Sequence, residues 1–366
     1  MHVKYLQLIN YRNYKELFIE LNENVNVFIG DNAQGKTNVL ESIYYSSFGR
    51  SHRTNKDKEI IKWNENEAYI KLHVVRERLD KKIEIKILKE GKKAISINSI
   101  KINKISQLLG NCNVVMFSPE DLKIVKESPG HRRRFLDMEL CQLDAAYYYS
   151  LVQYNKVLLE RNTVLKNRNI DQSILDVYDQ QLAAFGQYII KKRVGYIERL
   201  NYYSRTLHKE ITSDKENIEF KYISQVSSDE NIDSQLLQLL KKNRQKDIDR
   251  RTTSVGPHRD DFSIDINGVD TRTFGSQGQQ RTSILTIKFS SLKIIKEVTG
   301  EHPVLLLDDV LSELDFKRKK YILTSISKVQ TIITCTGIED IKSYIDDRAT
   351  IFYVKDGNVE VEKEGE

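Results

Sequence analysis

Gly30-Asp31-Asn32-Ala33-Gln34-Gly35-Lys36-Thr37 is a complete G-x-x-x-x-G-K-[ST] stretch. Its glycines let the backbone wrap closely around a phosphate chain, so that successive N–H groups point inward. The residues before it, Val25-Asn26-Val27-Phe28-Ile29, are β-branched and aromatic and predict a short buried strand. Those after it carry apolar side chains at helical spacing (Val39, Leu40, Ile43, Tyr44 and Phe48) and predict a helix over 37–48. Strand, loop and helix in that order aim the positive end of a helix dipole at an anion. Gly30 to Thr37, with Asn38 just inside the helix, form the candidate nucleotide-binding segment. Lys36 is placed to reach the β- and γ-phosphates of ATP, and the Thr37 hydroxyl to ligate Mg²⁺.

A second element lies far downstream. Val304-Leu305-Leu306-Leu307 is an apolar run that ends in Asp308-Asp309. Carboxylates at the end of a buried strand suit a Walker B role: Asp308 beside the Mg²⁺ and Asp309 orienting or deprotonating the attacking water. The catalytic set is therefore Lys36, Asp308 and Asp309, with Thr37 and Asp308 as metal ligands. Ser312-Glu313-Leu314-Asp315 follows at once and resembles the D-loop of ABC ATPases, which selects Ser312 and Asp315. Shortly before the strand, Phe274-Gly275-Ser276-Gln277-Gly278-Gln279 opens a helical run, where ABC-type ATPases carry their signature sequence. Ser276, Gln277, Gly278 and Gln279 resemble it. That resemblance implies a signature acting in trans, on a nucleotide held by a second copy, in a two-fold dimer.

Between these motifs the periodicity changes twice. Residues 68–102 alternate with period two (Ile83, Ile85 and Ile87 against Glu84 and Lys86), which predicts half-exposed antiparallel strands. Residues 119–251 read as helical. Leu175, Leu182, Ile189, Tyr196 and Tyr203 recur every seven residues; the stretch reads as a long core-facing bundle helix in preference to an extended coiled coil. Residues 225–235 are polar and read as a loop. After 252 the α/β pattern returns, with parallel-type strands at 304–307 and 331–334 and a terminal hairpin turning at Asp356-Gly357. The expected organisation is an α/β P-loop ATPase head of the ABC/SMC type, with a mixed sheet and an antiparallel β subdomain. A mainly helical arm interrupts it. Head residues are 1–118 and 252–366, and the arm is 119–251.

Composition narrows the class. The chain has 366 residues, of which 39% are hydrophobic and 30% charged, a soluble globular balance. Three scattered cysteines with no C-x-x-C pair argue against a disulfide framework or a structural zinc and for a reducing compartment. No leader pattern and no run long enough to span a bilayer are present, so a cytoplasmic location and no membrane partner are expected. The formal net charge of +6 is compatible with a polyanionic partner but does not require one.

Several blocks carry a closer resemblance. Leu6-Gln7-Leu8-Ile9-Asn10-Tyr11-Arg12-Asn13-Tyr14, Ser51-His52-Arg53-Thr54 and Pro119-Glu120-Asp121-Leu122 are three. Pro129-Gly130-His131-Arg132-Arg133-Arg134-Phe135-Leu136-Asp137 and Gly256-Pro257-His258-Arg259-Asp260-Asp261-Phe262 are two more. Together they resemble the RecF family of bacterial recombination-repair proteins, over nearly the whole chain. The resemblance implies a slow ATPase that dimerises on ATP and binds double-stranded DNA at single-strand gap junctions. It also implies partnership with RecR and RecO in loading RecA, and roles in repair, replication restart and the SOS response. The chain departs from the pattern at Glu127, where the family usually has glycine. It also has Asp309 where ABC transporters have glutamate, and Thr336 near the place of their switch histidine; both point to slow hydrolysis. Candidate DNA contacts are Arg132, Arg133, Arg50 and Arg53, with intrachain pairing as the competing reading for each. An ABC-type clamp acting on a protein partner, with no DNA role, is the alternative from another class.

Overall fold

The computed structural model describes residues 1–167, 169–227, 231–326, 328–337 and 349–362. The core of the expected polar loop, 228–230, and the last residues of the expected head, 363–366, lie outside them. Strands β1 (His2–Tyr11) and β2 (Tyr14–Glu20) form a hairpin, and β3 (Val25–Ile29) leads to helix α1 (Lys36–Phe48). An antiparallel run follows: β4 (Glu67–Val75), β5 (Lys81–Leu88), β6 (Lys93–Ile97) and β7 (Ile100–Ile102), then β8 (Val114–Phe117). Next come α2 (Leu122–Lys126), α3 (Pro129–Leu143), α4 (Ala145–Val164), α5 (Gln172–Thr212), β9 (Ile218–Ile223), α6 (Ile232–Lys242) and α7 (Arg244–Arg250). The chain continues through β10 (Asp261–Ile266), β11 (Val269–Asp270), α8 (Thr271–Phe274) and α9 (Gln277–Thr299). It closes with β12 (Val304–Asp308), α10 (Phe316–Ser325), β13 (Thr331–Cys335), β14 (Thr350–Lys355) and β15 (Asn358–Val361).

Two compact units result: residues 1–121 with 291–366, and residues 122–290. In the first, one sheet has the order β15-β14-β3-β13-β12-β8 and the other the order β2-β1-β4-β5-β6-β7. Strands β14, β3, β13, β12 and β8 run parallel, and β13 and β12 are buried along their whole length. That is why they read as unbroken apolar runs. The second sheet is antiparallel and half-buried, which is why β4 and β5 alternate. Helix α1 packs against strands of both sheets. Buried on nearly every side, it carries Ser42, Ser46 and Ser47 among its buried residues. Their hydroxyls donate to carbonyls three or four residues back, so no donor is stranded.

The other unit is built on α5, a single helix of 41 residues. Its seven-residue stripe of Leu175, Leu182, Ile189 and Tyr196 is buried against α4, α6 and β9, as a bundle helix requires. Arg161 of α4 is fully buried. It donates to Asp179 (2.7 Å), Asp247 (2.9 Å) and Thr253 (2.9 Å), a matched network in which removal of any one charge would strand another.

Two expectations are corrected. The helical stretch contains a strand, β9, and β10 pairs along its whole length with it, in the order β11-β10-β9. Those ladder hydrogen bonds hold residues after 252 in the helical unit, so the units divide after Asp121 and before Ser291 and not at 118 and 252. The stretch expected as loop also ends early, because α6 begins at Ile232.

Candidate nucleotide site

The phosphate loop is held from several sides. A Cβ on Gly30 would stand 2.2 Å from the Val354 carbonyl oxygen, so β14 passes too close for any other residue. Gly35 has φ +123°, and a Cβ there would meet the Asn13 and Tyr14 side chains within 3 Å. The turn between β1 and β2 braces the loop. Asn13 Nδ2 donates to Gln34 O (2.7 Å), and the Tyr14 hydroxyl donates to Gly35 O (3.0 Å). Asn38 Nδ2 donates to Asn13 Oδ1 (2.8 Å). From the terminal hairpin, the Asp356 N–H donates to Gln34 Oε1 (2.5 Å). Lys36 is buried at the head of α1, and its ammonium donates to the carbonyls of Gly30 (2.6 Å) and Asp31 (3.0 Å). The loop thus converges on a fixed positive charge at a helix N-terminus.

The two distant motifs meet here. Thr37 Oγ1 donates to Asp308 Oδ1 at 2.8 Å, across 271 residues of sequence. Asp308 is buried, and burial raises its carboxyl above the usual range; hydrogen bonds from Thr37 and Thr334 oppose the rise. A buried carboxylate beside a hydroxyl, at the head of a phosphate loop, suits a hard cation. Mg²⁺ takes one or two protein oxygens and completes its shell with waters and substrate phosphates. Thr37 and Asp308 fit that description. Asp309 follows with φ +52°, a left-handed conformation rare outside glycine. Ser312 Oγ donates to the Asp309 carbonyl (2.8 Å), and Asp315 caps α10 through the Arg318 N–H (3.0 Å).

The sequence reading did not single out Glu41 of α1, which is fully buried. Arg12 grips it with both arms (2.8 and 2.6 Å), and Ser51 Oγ donates to it at 2.5 Å. Burial alone would raise its carboxyl, but these hydrogen bonds prevail and hold it below the usual range. Arg53 donates to Asn38 Oδ1 (2.9 Å) and lies 3.7 Å from Glu41. Beside them opens a cleft of about 450 Å³, lined by Arg12, Asn13, Asn38, Arg53, Lys62 and Trp63 among others. Trp63 is 87% exposed. No sequence spacing signals this cleft, since its residues come from three separate loops and one helix.

The signature segment belongs to the helical unit. Ser276 and Gln279 form a reciprocal cap: Gln279 N donates to Ser276 Oγ (3.2 Å), and Ser276 N donates to Gln279 Oε1 (2.9 Å). Gln279 Nε2 in turn donates to Glu216 Oε1 (2.9 Å). Gln277 is exposed and Gly278 half-buried, and Phe274, two residues ahead of the cap, is 73% exposed.

Residues 2–359 match the family described as RecF/RecN/SMC N terminal domain. A DNA replication and repair protein RecF of Clostridium perfringens is 67% identical over 360 residues, covering 98% of this chain and all of that protein. The corresponding protein of Clostridium botulinum is 59% identical over 355 residues, covering 97% of this chain and 98% of its own. The chain belongs to the RecF family. A solved structure of the recombination mediator protein RecF with ATP superposes with a TM-score of 0.92 at 40% identity, covering 99% of this chain and 98% of that one. An Smc head domain bound to part of ScpA superposes at 0.58 with 15% identity, which shows a shared ATPase-head fold.

The RecF-like blocks acquire physical reasons. Asn13 and Tyr14 brace the phosphate loop, Ser51 to Arg53 close over Glu41, and His258 links α4 to its own loop through Tyr154 (2.6 Å) and the Thr253 carbonyl (3.1 Å). The arginines divide. Arg132 is 3% exposed, and its guanidinium is committed to Asp261 (2.6 and 2.9 Å) and to the carbonyls of Ile124 and Glu127. It braces the helical unit internally and offers nothing to a DNA backbone. Arg133 is half-buried and donates to the Asp260 carbonyl (2.9 Å). Arg50 and Arg53 are exposed near the end of α1.

Proposed function

We propose that this chain is an ATP-dependent DNA-binding recombination mediator whose nucleotide acts as a clamp between two copies. The observation that carries the reading is the Thr37–Asp308 hydrogen bond, which joins a phosphate loop to a Walker B carboxylate. On this reading residues 30–38 cradle the triphosphate, and Lys36 turns from the loop carbonyls to the β- and γ-phosphates. Thr37 and Asp308 would hold Mg²⁺, which would supply charge neutralisation of the phosphates. Asp309 orients the attacking water. The cleft beside Asn38 and Trp63 receives the rest of the nucleotide. The signature cap at Ser276–Gln279 meets the phosphate of the second copy, and the D-loop residues Ser312 and Asp315 lie along the same junction. Hydrolysis is slow, since Asp309 reaches less far than a glutamate, and loss of the γ-phosphate lets the dimer part.

Double-stranded DNA at a single-strand gap is the proposed ligand of the closed dimer, with RecR, RecO and RecA as partners in gap repair, replication restart and SOS induction. These attributes are what the resemblance implies; the relatives' names support the coarser reading of replication, repair and recombination mediation in the RecFOR pathway. No helix among the described residues is long and apolar enough to cross a membrane. Arg50 and Arg53 remain among the candidates for phosphate contact, and Arg132 does not.

The test is a sizing experiment on the full chain with and without MgATP, paired with duplex-DNA binding across a salt series. The unmodified protein should dimerise with ATP and bind DNA with an affinity that falls steeply as salt rises. Lys36→Met and Ser276→Arg should both remain monomeric. A Ser276→Arg dimer as tight as the parent's removes the trans-signature model, and DNA binding indifferent to ATP removes the clamp.

A further inference from the structure

We propose that Thr334 is a positioning residue for ATP hydrolysis, setting the geometry of both carboxylates at the end of β12 through one hydroxyl. The proposal rests on the reading of Asp308 as a Mg²⁺ ligand and Asp309 as the water-orienting residue. In the parallel ladder, Thr334 of β13 stands opposite Asp308, the last residue of β12. It is fully buried. Its Oγ1 donates to Asp308 Oδ1 at 3.0 Å and accepts the Asp309 N–H, also at 3.0 Å.

These two contacts have different consequences. The Asp309 N–H lies one step beyond the ladder, at an edge where backbone donors lose their strand partner. Thr334 supplies that partner from a side chain. It does so at the residue with φ +52°, where the backbone is least comfortable and most in need of an anchor. The bond to Oδ1 makes Asp308 the acceptor of two hydroxyls, since Thr37 donates to the same oxygen at 2.8 Å. That oxygen is fixed from both sides, and the other is left for a metal-bound water or the metal itself. One side chain therefore fixes the rotation of the metal ligand and the turn that carries the next carboxylate. The sequence alone drew attention to Thr336 as the place of the switch histidine; Thr336 is exposed, and the working hydroxyl belongs to Thr334.

Thr334→Val removes the hydroxyl and keeps the shape; Thr334→Ser keeps the hydroxyl. The full chain would be assayed for steady-state hydrolysis, for half-saturating Mg²⁺, and for ATP affinity in the presence of a chelator. Thr334→Val should lower kcat by about tenfold or more, because both carboxylates lose the hydroxyl that fixes their geometry. It should also raise the Mg²⁺ requirement, while metal-free ATP affinity stays within about twofold. Thr334→Ser should restore both. A residue that merely holds two strands together would not move the Mg²⁺ requirement or be rescued selectively by serine. Asp309→Asn, run alongside, separates the two ideas. If Asp309→Asn is inactive and Thr334→Val matches the parent, Thr334 has no positioning role although the carboxylate reading stands. If Asp309→Asn hydrolyses at the parent's rate, the water-orienting role of Asp309 falls and the part of the proposal that concerns it falls too; a Thr334→Val chain with the parent's Mg²⁺ requirement removes the part that concerns Asp308. A serine variant as impaired as valine also overturns the proposal.

Discussion

The phosphate loop and the signature segment both sit at the N-terminus of a long helix, yet they are held in opposite ways. The loop is fixed by residues far from it in sequence: Asn13 and Tyr14 on one side, Val354 and Asp356 on the other. The signature is capped by itself, Ser276 against Gln279, with Glu216 as its described outside hold. The first arrangement is a preformed receptor whose backbone cannot move without breaking a sheet. The second is a helix start whose donors are provisionally satisfied. An incoming phosphate oxygen can replace Ser276 Oγ at the Gln279 N–H without unfolding anything. Rigidity where ATP is proposed to bind first, and an exchangeable cap where the proposed clamp would meet a second copy, is the division of labour a nucleotide clamp needs.

The comparison breaks most sharply at Gly30. With Val354 O 2.2 Å from where a Cβ would lie, Gly30→Ala must push the loop or β14 aside. Overpacking of this kind costs about 1–3 kcal/mol, enough to weaken ATP binding by up to about a hundredfold. Titration with a fluorescent ATP analogue should show that loss. Ser276 belongs to the other unit, so a Ser276→Ala chain should bind the same analogue like the parent. Equal binding by Gly30→Ala and the parent would show that the loop is adaptable and remove the contrast.

Much of this was legible in the sequence, and the reason is local. A glycine loop between a strand and a helix, and an apolar run ending in two aspartates, are signals that short windows contain. The strands at 25–29, 304–307 and 331–334 and the helix after Lys36 follow from the same logic. What was hidden depends on distant partners. Strand β9 is six residues in a helical neighbourhood, and its identity is fixed by pairing with β10. Arg132 sits in a run of three arginines that looks like a DNA contact until Asp261, far along the chain, is found against it. Glu41 looks like an ordinary surface residue of a helix, and only the convergence of Arg12 and Ser51 reveals it as buried.

Protonation offers a subtler way to compare the two units, since each holds a histidine whose pKa burial has pushed down to about 4: His52 in the first and His258 in the second. The unfolded chain takes up protons at these positions as pH falls below about 6.5; the folded one resists until about 4. Their contribution is therefore complete above pH 6.5 and is lost as pH falls from there towards 4. Each can account for on the order of 3 kcal/mol across that window. Urea unfolding at a series of pH values should show falling stability, with a shallower dependence in His52→Gln and His258→Gln. Slopes identical to the parent's would mean that neither burial survives in solution.

The smallest expected effect bears most directly on the signature. Glu216 accepts from Gln279 at 2.9 Å and lies 3.5 Å from the buried His208 of α5, so the cap is tied to the long helix through this carboxylate, while Thr286 further along α9 meets His208 Nδ1 at 2.9 Å. Glu216→Ala leaves the Ser276–Gln279 cap intact but strips the Gln279 amide of its second hold, through Nε2. A partly exposed hydrogen bond to a charged group contributes roughly 1 kcal/mol, so the ATP-driven dimer should weaken by about fivefold. ATP binding to the monomer should be unchanged, because the phosphate loop does not depend on Glu216. Sedimentation at saturating ATP separates the two quantities. If dimerisation is unaltered, the cap is held well enough by its own turn and α5 has no hold on it. If monomer binding falls as well, the two helix starts are coupled through the fold, and the contrast between a fixed receptor and an exchangeable cap no longer describes the molecule.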